Sequence, residues 1–360
     1  MRLLVVAEQL RRAVPGGIGT YARGLLAGLA AIEEPARPDV GLWASRAPSG
    51  RPDPLAALGP VSASALPARG QVWAWDRGFG TAPGRPDVVH ATSFAVPPTG
   101  AVPLSAMVHD LAWRQFPDAY PARGRRWHEA ALGRTLDRAA RMVVPSASVA
   151  DDLLAAGAPP ARVEVIEEGC DHLPPPDDEG AAALLSRLGV EGDFLLTVST
   201  LEPRKNLPRL LAAYEQARAR FPRPWPLVVA GPAGWGPSLR SGPGVVLAGQ
   251  VDGGVLSALY RRARTMAYVP LREGFGLPVA EAMSCGVPVV SSPVPSAGGA
   301  SLEVDPLDVD AIAAGLVAAA GDDARRADLI AAGSARAGQL TWARAARGHV
   351  EVWTAMLAAR

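Results

Sequence analysis

The sequence is poor in cysteine, lysine and asparagine. Its two cysteines, Cys170 and Cys285, lie far apart among the 360 residues, which excludes a disulfide framework and a cysteine-rich metal cluster. No histidine stands near Cys285 in sequence, so a role in packing is favoured over a role as nucleophile. Lys205 is the only lysine and Asn206 the only asparagine. Because they are adjacent, they invite a functional interpretation.

Charge of one sign and long apolar runs are also lacking. The formal net charge is +1, without a long run of either sign, and this argues against a nucleic-acid partner. No uninterrupted apolar stretch is long enough to span a membrane, and the apolar start of the chain gives way to charge, unlike a signal peptide. We therefore expect a cytoplasmic protein that binds no nucleic acid. A peripheral contact with the inner face of a membrane stays open, because a basic surface needs no membrane span.

What the sequence does contain favours an α/β fold. Short apolar runs alternate with helical patterns, which predicts βαβ units with buried parallel strands. The length suits two domains of about 170 residues each. The predicted strands are 3–7, 40–44, 72–75, 87–91, 106–109, 142–146, 163–166, 194–198, 227–231, 245–249, 266–269 and 287–291. The predicted helices are 22–32, 123–139, 147–156, 181–188, 207–220, 255–263 and 341–359, with residues 35–70 mostly loop and 174–178 a proline-rich linker.

The most informative stretch is 273–290, which connects two predicted strands and contains the crossover helix. Gly274 and Gly276 allow a sharp turn and a close approach to a ligand. Amide groups at the helix entrance and the positive end of the helix dipole favour a diphosphate there. Glu273 and Glu281 would repel a diphosphate, so we expect their carboxylates to accept hydrogen bonds from sugar and ribose hydroxyls.

This stretch resembles the Glu-x7-Glu motif of family 4 retaining glycosyltransferases, whose GT-B fold has two Rossmann-like domains facing across a cleft. The Glu-Pro-Arg-Lys-Asn segment at 202–206 is similar to the same family, especially to its mannosyltransferases. The resemblance covers nearly the whole chain and is strongest over 194–290. It implies an N-terminal acceptor-side domain over 1–172, a C-terminal sugar-nucleotide-binding domain over 173–340 and a closing helix, 341–360, that packs back on the first domain.

The chain departs from the family's pattern at two places. Many relatives have Gly-Arg where this chain has Ser199-Thr200, and that arginine helps to hold the donor phosphates. Arg204 compensates for its loss, or the phosphates are held less firmly. The loop 295–300 is shorter than the family's and lacks its glutamate.

The first domain is expected to contribute a glycine loop and a histidine. The family's Gly-Gly-Ile-Gly loop lies over the donor phosphates, and its His-Asp pair places the histidine on the donor sugar. The resemblance implies these roles for Gly16, Gly17 and His109. The structural alternatives are a tight turn without a ligand and a histidine satisfied by a backbone carbonyl. The aromatic loop 113–120 is either the acceptor entrance or a packed loop, and His90 is a weaker candidate.

The resemblance implies a mechanism for the second domain. Arg204 and Lys205 stabilise the nucleoside diphosphate leaving group together with helix amides, and no Asp-x-Asp motif stands at a sheet end, so metal-independent catalysis is expected. The predicted catalytic residues are His109, Glu273, Lys205 and Arg204. The residues predicted to bind the nucleotide are Gly16, Gly17, Thr200, Arg204, Lys205, Val251, Gly274, Phe275, Gly276, Leu277 and Glu281.

The predicted function is transfer of a hexose from a nucleotide diphosphate sugar to a glycan, lipid-linked or small-molecule hydroxyl acceptor, without a cofactor. GDP-mannose is the favoured donor and a UDP-hexose the next. Attack on the face that the leaving group departs from is favoured over a double displacement through Glu273. Two alternatives stay open: a non-catalytic partner subunit that binds a sugar nucleotide or glycan on a degenerate GT-B fold, and a sugar-nucleotide epimerase of the same fold.

Overall fold

The computed structural model describes residues 1–50, 52–234 and 242–359. The chain divides into two compact units, Met1–Gly169 with Thr341–Arg360, and Cys170–Leu340. The proline-rich stretch predicted to be a linker belongs to the second unit, where the amide of Asp177 donates to the carbonyl of Gly254 at 2.9 Å.

The described part of the first unit forms a seven-stranded sheet in the order β3-β2-β1-β4-β5-β6-β7, with every neighbouring pair parallel. The chain moves outward in opposite directions from β1 and β4, so a switch point lies between them. The strands are β1 (Arg2–Val6), β2 (Asp39–Ala44), β3 (Val61–Ala63), β4 (Val88–Ala91), β5 (Leu104–Met107), β6 (Arg141–Val144) and β7 (Val163–Val165). The helices are α1 (Gly16–Ala30), α2 (Ala68–Asp76), α3 (Ala112–Gln115), α4 (Ala122–Arg138), α5 (Ala147–Ala155) and, at the end of the chain, α12 (Trp342–Ala358).

The described part of the second unit forms a six-stranded parallel sheet in the order β10-β9-β8-β11-β12-β13. Its switch point lies between β8 and β11. The strands are β8 (Leu195–Val198), β9 (Leu227–Ala230), β10 (Val245–Gly249), β11 (Thr265–Tyr268), β12 (Val289–Ser291) and β13 (Leu302–Glu303). The helices are α6 (Asp178–Arg187), α7 (Leu207–Arg218), α8 (Gly253–Arg262), α9 (Leu277–Ser284), α10 (Val309–Gly321) and α11 (Asp323–Ala337).

The central strands of both sheets are buried along their whole length, because helices cover both faces. β4, β5, β9 and β11 expose none of their residues, which explains why these strands are mostly apolar and do not alternate between apolar and polar residues. None of the described helices has the length and hydropathy that crossing a bilayer requires.

The final helix, α12, packs closely against α1 within the first unit. A Cβ added to Gly24 would lie 2.0 Å from Cε2 of Trp342, and one added to Gly28 would lie 2.2 Å from the Trp342 carbonyl oxygen. Only glycine fits at these two positions, so the backbone of α1 can approach the indole of α12. The predicted closing helix extends to Arg360, which lies outside the described residues.

Two expectations from the sequence were wrong. The predicted strand 72–75 is part of helix α2, in which Gln71, Ala74 and Trp75 are buried while Trp73 is 55% exposed. That burial follows helical spacing, which a four-residue apolar run is too short to reveal. The predicted helix 22–32 begins earlier, at Gly16, because the glycine run forms its first turn. The short edge strands β3 and β13 were not predicted.

Candidate functional site

The candidate site lies at the switch point of the second sheet, where two loops follow neighbouring strands. Residues 199–206 follow β8 and residues 269–276 follow β11. Ligands of open parallel sheets bind outside the carboxyl ends of the strands at such a point. These two loops contain the Glu-Pro-Arg-Lys-Asn segment at 202–206 and the start of the Glu-x7-Glu stretch at Glu273.

Asn206 holds the two loops together. Its backbone has a φ of 58°, a left-handed conformation that asparagine tolerates better than most residues. Its amide nitrogen donates to the carbonyl oxygens of Val269 at 3.0 Å and Pro306 at 2.7 Å. The amide of Leu271 donates to the carbonyl of Arg204 at 2.9 Å. The only asparagine of the chain therefore has a structural role, which keeps its lysine neighbour in place.

The Glu273 carboxylate is at the centre of a buried ionic cluster, and one of its oxygens receives every donor. Oε1 lies 2.6 Å from Nζ of Lys205, 2.9 Å from the hydroxyl of Tyr268 and 3.3 Å from Nη1 of Arg204. Within the described ranges, no hydrogen-bond partner lies on Oε2 of Glu273. One oxygen thus fixes the side chain, and the other keeps its acceptor capacity for a ligand.

The charges of this cluster keep Glu273 ionised. Burial alone would raise the pKa of its carboxyl, but Arg204, Lys205 and the hydrogen bonds outweigh burial and lower the pKa from 4.5 to about 2. Burial and the neighbouring carboxylate raise the pKa of Tyr268 well above 10, so its hydroxyl stays a donor. Glu202 lies 3.3 Å from Nη2 of Arg204 and 3.7 Å from Nζ of Lys205. The cluster therefore contains two cations and two carboxylates, and their charges cancel.

The entrance to α9 is shaped by Gly276 and Ser296. Gly276 has a φ of 97°, and a Cβ added there would lie 3.0 Å from the Ser296 hydroxyl. That hydroxyl donates to the Gly276 carbonyl at 2.7 Å, and the Ser296 amide donates to the Phe275 carbonyl at 2.9 Å. The short loop 295–300 therefore braces the glycine turn. The amide of Leu277, the first of the helix, has no intrahelical acceptor and is suited to an anion. Pro278 carries no N–H, and the Val279 amide donates to the Gly276 carbonyl at 3.0 Å.

Glu281 lies on α9 and is only 8% exposed. The hydroxyl of Tyr260 donates to its Oε2 at 2.8 Å, and Nε2 of His172 lies 3.0 Å from its Oε1. Tyr260 comes from α8, and His172 from the segment that opens the second unit. Neither residue was predicted from the sequence.

The remaining predicted nucleotide contacts follow the carboxyl ends of β8, β11 and β10. Thr200 follows β8, and its carbonyl accepts from the Glu202 amide at 2.9 Å. Gly274 lies in the loop after β11, next to Glu273. Val251 follows β10, is half-buried and packs against the core. They lie at the carboxyl edge of the sheet, as ligand contacts of an open α/β sheet do.

In the first unit, Gly16 and Gly17 are exposed in the first turn of α1. Gly16 has a φ of 61°, and a Cβ added to it would have no other atom within 4 Å. The glycines follow β1 and its short 3-10 turn, so they lie at the carboxyl side of the first sheet's switch point.

Both ring nitrogens of His109 have partners. Nε2 lies 2.9 Å from the Thr92 carbonyl oxygen and Nδ1 lies 3.3 Å from Oε1 of Glu168. Burial would lower the pKa of His109, but Glu168 and the Thr92 carbonyl together raise it above 6.5. Since both partners are acceptors, the geometry suits a doubly protonated ring. The carbonyl contact is the structural alternative considered above, and the carboxylate contact was not predicted.

His90 belongs to a buried hydrogen-bonded chain that includes α12. Nδ1 of His349 faces the Ala345 carbonyl at 2.9 Å and must donate, so its Nε2 accepts from the Tyr21 hydroxyl at 2.8 Å. The Tyr21 oxygen then accepts from Nε2 of His90 at 2.8 Å. Nδ1 of His90 accepts from Ser105 at 2.8 Å. Burial lowers the pKa of His349 to about 4 and that of His90 well below 6.5, as neutral rings require.

The aromatic loop 113–120 is predicted to be either an acceptor entrance or a packed loop, and its first residue, Trp113, is packed. Trp113 is 3% exposed and stacks on His128 with 4.7 Å between ring centroids. Its indole nitrogen donates to Glu129 at 2.8 Å. Trp113 therefore offers no open aromatic face to a sugar.

No cluster of histidine, cysteine or acidic side chains in the described ranges is arranged to hold a metal ion. The Asp-x-Asp pair at 308–310 begins α10, where Asp308 accepts from the amides of Asp310 at 2.9 Å and Ala311 at 3.0 Å. Asp308 is therefore the N-cap of α10, and Asp310 lies in its first turn.

Residues 15–172 match the family described as Glycosyltransferase Family 4, and residues 192–322 match Glycosyl transferases group 1. The chain belongs to the family 4 glycosyltransferases. Among curated proteins, it is 35% identical over 251 residues to O-antigen chain mannosyltransferase B of Escherichia coli, covering 65% of each chain. It is 30% identical over 213 residues to D-inositol 3-phosphate glycosyltransferase of Mycobacteroides abscessus, covering 54% of this chain and 46% of that one.

Solved structures that are similar to this chain have the GT-B fold. Sucrose-phosphate synthase from Thermosynechococcus elongatus superposes with a TM-score of 0.74 at 19% identity, with both chains fully covered. HepE from Anabaena, solved with UDP-glucose, gives 0.71 at 18% identity over 99% of this chain and all of that one. The predicted GT-B fold with two parallel α/β domains is confirmed. The matched region spans 65% of the first curated relative and 24% of the next, the mannosyltransferase WbdA of Escherichia coli.

Proposed function

We propose that this family 4 glycosyltransferase transfers a hexose, most favourably mannose, from a nucleotide diphosphate sugar to a hydroxyl acceptor with retention of anomeric configuration and without a metal. The observation that carries the proposal is the ionic cluster of Lys205, Arg204 and Glu273 beside the entrance to α9. It combines fixed cations for a leaving diphosphate with an ionised carboxylate for sugar hydroxyls.

The leaving group is stabilised by charges that the fold has already oriented. Lys205 and Arg204 stand on a turn fixed through Asn206, and the helix entrance is fixed through Ser296. Donors held in advance cost no reorganisation when the diphosphate charge develops. In this mechanism, Lys205 exchanges part of its contact with Glu273 for a phosphate oxygen.

Glu273 serves as an acceptor of sugar hydroxyls. Its low pKa and the three donors on Oε1 make it a weak base and a weak nucleophile. Both properties support attack of the acceptor on the leaving-group face, with a phosphate oxygen taking the acceptor proton, over a double displacement through Glu273. The free Oε2 is the atom that we assign to the donor sugar.

GDP-mannose is the donor that we favour, with UDP-hexoses next. Support comes from the Glu-Pro-Arg-Lys-Asn segment and from relatives named as mannosyltransferases, whereas HepE was solved with UDP-glucose. The acceptor is a glycan, lipid-linked or small-molecule hydroxyl. Gly16, Gly17, His109, Thr200 and Val251 as donor contacts stay predictions, as do the cytoplasmic location and the peripheral membrane contact.

The proposal is tested by thermal unfolding with GDP, UDP, ADP and dTDP in turn. A ligand at 100 times its dissociation constant stabilises the folded state by about 2.7 kcal/mol. We expect one of the four nucleotides to raise Tm more than the others do, and we expect that nucleotide to be GDP. The Lys205→Met variant should lose most of that rise, because a cation at the diphosphate is missing. No shift with any nucleotide would contradict the proposal, and binding without transfer would favour the non-catalytic alternative.

A further inference from the structure

Glu281 is held differently from Glu273. Glu273 takes all its donors on one oxygen, whereas each oxygen of Glu281 takes one donor, Tyr260 on Oε2 and His172 on Oε1. A carboxylate oxygen has two acceptor sites. Each Glu281 oxygen therefore keeps one acceptor site, so the carboxylate offers one site on each of its two neighbouring oxygens.

Two adjacent acceptor sites suit two adjacent hydroxyl donors. A vicinal diol can donate one hydrogen bond to each oxygen of a carboxylate, and in a nucleotide sugar the nucleotide's own vicinal diol is that of its ribose. A single donor on each oxygen also fixes the plane of the carboxylate, which two hydroxyls must match. Charge-assisted hydrogen bonds of this kind are about twice as strong as neutral ones.

We propose that Tyr260 and His172 are positioning residues that set the Glu281 carboxylate to receive both ribose hydroxyls of the donor. This inference rests on the proposed function, because it assumes that a nucleotide binds beside α9. It assigns a role to two residues that no motif contains, one on α8 and one on the first segment of the second unit.

The burial of this group supports a role beyond stability. A buried carboxylate is costly unless it is hydrogen-bonded, and apolar residues of similar size often stabilise a core as well or better. Tyr260 is fully buried, and the only hydrogen bond of its hydroxyl in the described chain goes to Glu281. Burial and the Glu281 charge raise the pKa of Tyr260 well above 10, which keeps the hydroxyl a donor.

The test compares the dissociation constants of GDP, 2′-deoxyGDP and 3′-deoxyGDP by calorimetry, with the uridine series if UDP binds better. For the unchanged protein, loss of either hydroxyl should weaken binding about tenfold, as expected for an unpaired buried acceptor. In Tyr260→Phe, the ribonucleotide should bind more weakly. The ratio of the deoxynucleotide to the ribonucleotide dissociation constant, which we call the ribose ratio, should then fall to about threefold or less. The deoxynucleotides should bind almost as before.

Matched variants separate positioning from loss of stability. Tyr214→Phe removes another buried tyrosine hydroxyl of the same unit, one that donates to the carbonyls of Trp225 at 2.8 Å and Gly244 at 3.0 Å. It should lower Tm and keep the ribose ratio. His172→Leu should reduce the ribose ratio. His172→Gln, which retains an amide donor, should have a ribose ratio close to that of the unchanged protein.

Each outcome has one meaning. If no nucleotide binds, the proposed function fails and the inference fails with it. If ribonucleotides and deoxynucleotides bind the unchanged protein equally, Glu281 does not hold the ribose and the inference is overturned, while the proposed function stands. If the unchanged protein discriminates but Tyr260→Phe and His172→Leu discriminate equally well, the two residues are structural and the positioning role is overturned.

Discussion

Replacing Lys205 by methionine should destabilise the protein and make its stability less dependent on acid. Methionine keeps much of the side-chain volume but removes the charge that lies 2.6 Å from Glu273. Removal of one partner from a buried ion pair costs about 3–5 kcal/mol. Arg204 remains 3.3 Å from the same oxygen, so we expect a loss near the lower end, about 3 kcal/mol.

The pH dependence gives an independent magnitude for the same cluster. The pKa of Glu273 is about 2 in the folded protein against 4.5 ordinarily, so the unfolded chain binds the proton more readily between those values. At about 1.4 kcal/mol per pH unit, the shift stabilises the fold by about 3 kcal/mol. That contribution is fully present above pH 4.5 and is lost as pH falls to about 2. In Lys205→Met, this loss should be clearly smaller.

Urea unfolding of both proteins at pH 7, 5, 4 and 3 measures both effects. A double-mutant cycle with Glu273→Gln should show a clear coupling energy, because the two residues are in contact. Arg2→Met is the matched control, since it removes a cation from an exposed pair with Asp87 and should change little. A loss below about 1 kcal/mol for Lys205→Met, the range of surface pairs, or additivity in the cycle would refute this account of the cluster.

Three further predictions follow from the geometry. Gly276→Ala places a side chain at a φ of 97° and 3.0 Å from a neighbouring hydroxyl. Nucleotide titration should show weaker binding, and urea unfolding should show a free energy of unfolding lower by about 1–3 kcal/mol. Unchanged binding would contradict a nucleotide site at the entrance to α9. Gly24→Ala puts a Cβ 2.0 Å from the Trp342 ring, and overpacking should lower stability by about 1–3 kcal/mol, which an unchanged urea midpoint would disprove. His349 has a pKa of about 4 against 6.5, so Tm should fall as pH drops from about 6.5 to 4, because the unfolded chain binds the proton there. His349→Phe should flatten that part of the pH profile, and an equally steep profile would show that another group titrates.

The sequence predicted the fold because its strands are strongly marked. Buried parallel strands such as β9 and β11 are continuous apolar runs with turn residues at their ends, so their positions follow from hydrophobicity alone. Helix α2 could not be found in this way, because only four apolar residues mark it and the indole of Trp73 faces solvent. The edge strands β3 and β13 are too short to leave a pattern.

In the candidate site, too, some residues could be predicted from the sequence and others could not. Glu273, Glu281, Lys205 and Gly276 could be predicted because they stand in local motifs whose spacing has a physical meaning. Residues that support them come from distant parts of the chain. Tyr260 precedes Glu281 by 21 residues and His172 precedes it by 109, and a tyrosine in an amphipathic helix is indistinguishable in sequence from an ordinary core residue.

Ser296 shows what a missing motif can conceal. The loop 295–300 departs from the family's pattern, and the sequence offered no partner for the glycine turn at α9. In the structure, the Ser296 hydroxyl and amide both donate to that turn. A serine in a glycine-rich loop carries no signal of such a contact, since the contact depends on tertiary structure.

The most direct test of the account is transfer of labelled mannose from GDP-mannose to a lipid and glycan extract, compared between the unchanged protein and Glu273→Gln, with GDP binding measured on both. We predict that the unchanged protein labels an acceptor fraction with the α-configuration of the donor retained. We predict that Glu273→Gln still binds GDP but labels at least about 100-fold less, the scale of loss seen when a transition-state contact is removed. Equal labelling by both proteins would contradict the assignment of Glu273 and, with it, the central claim that the cluster at the switch point of the second sheet is the catalytic site.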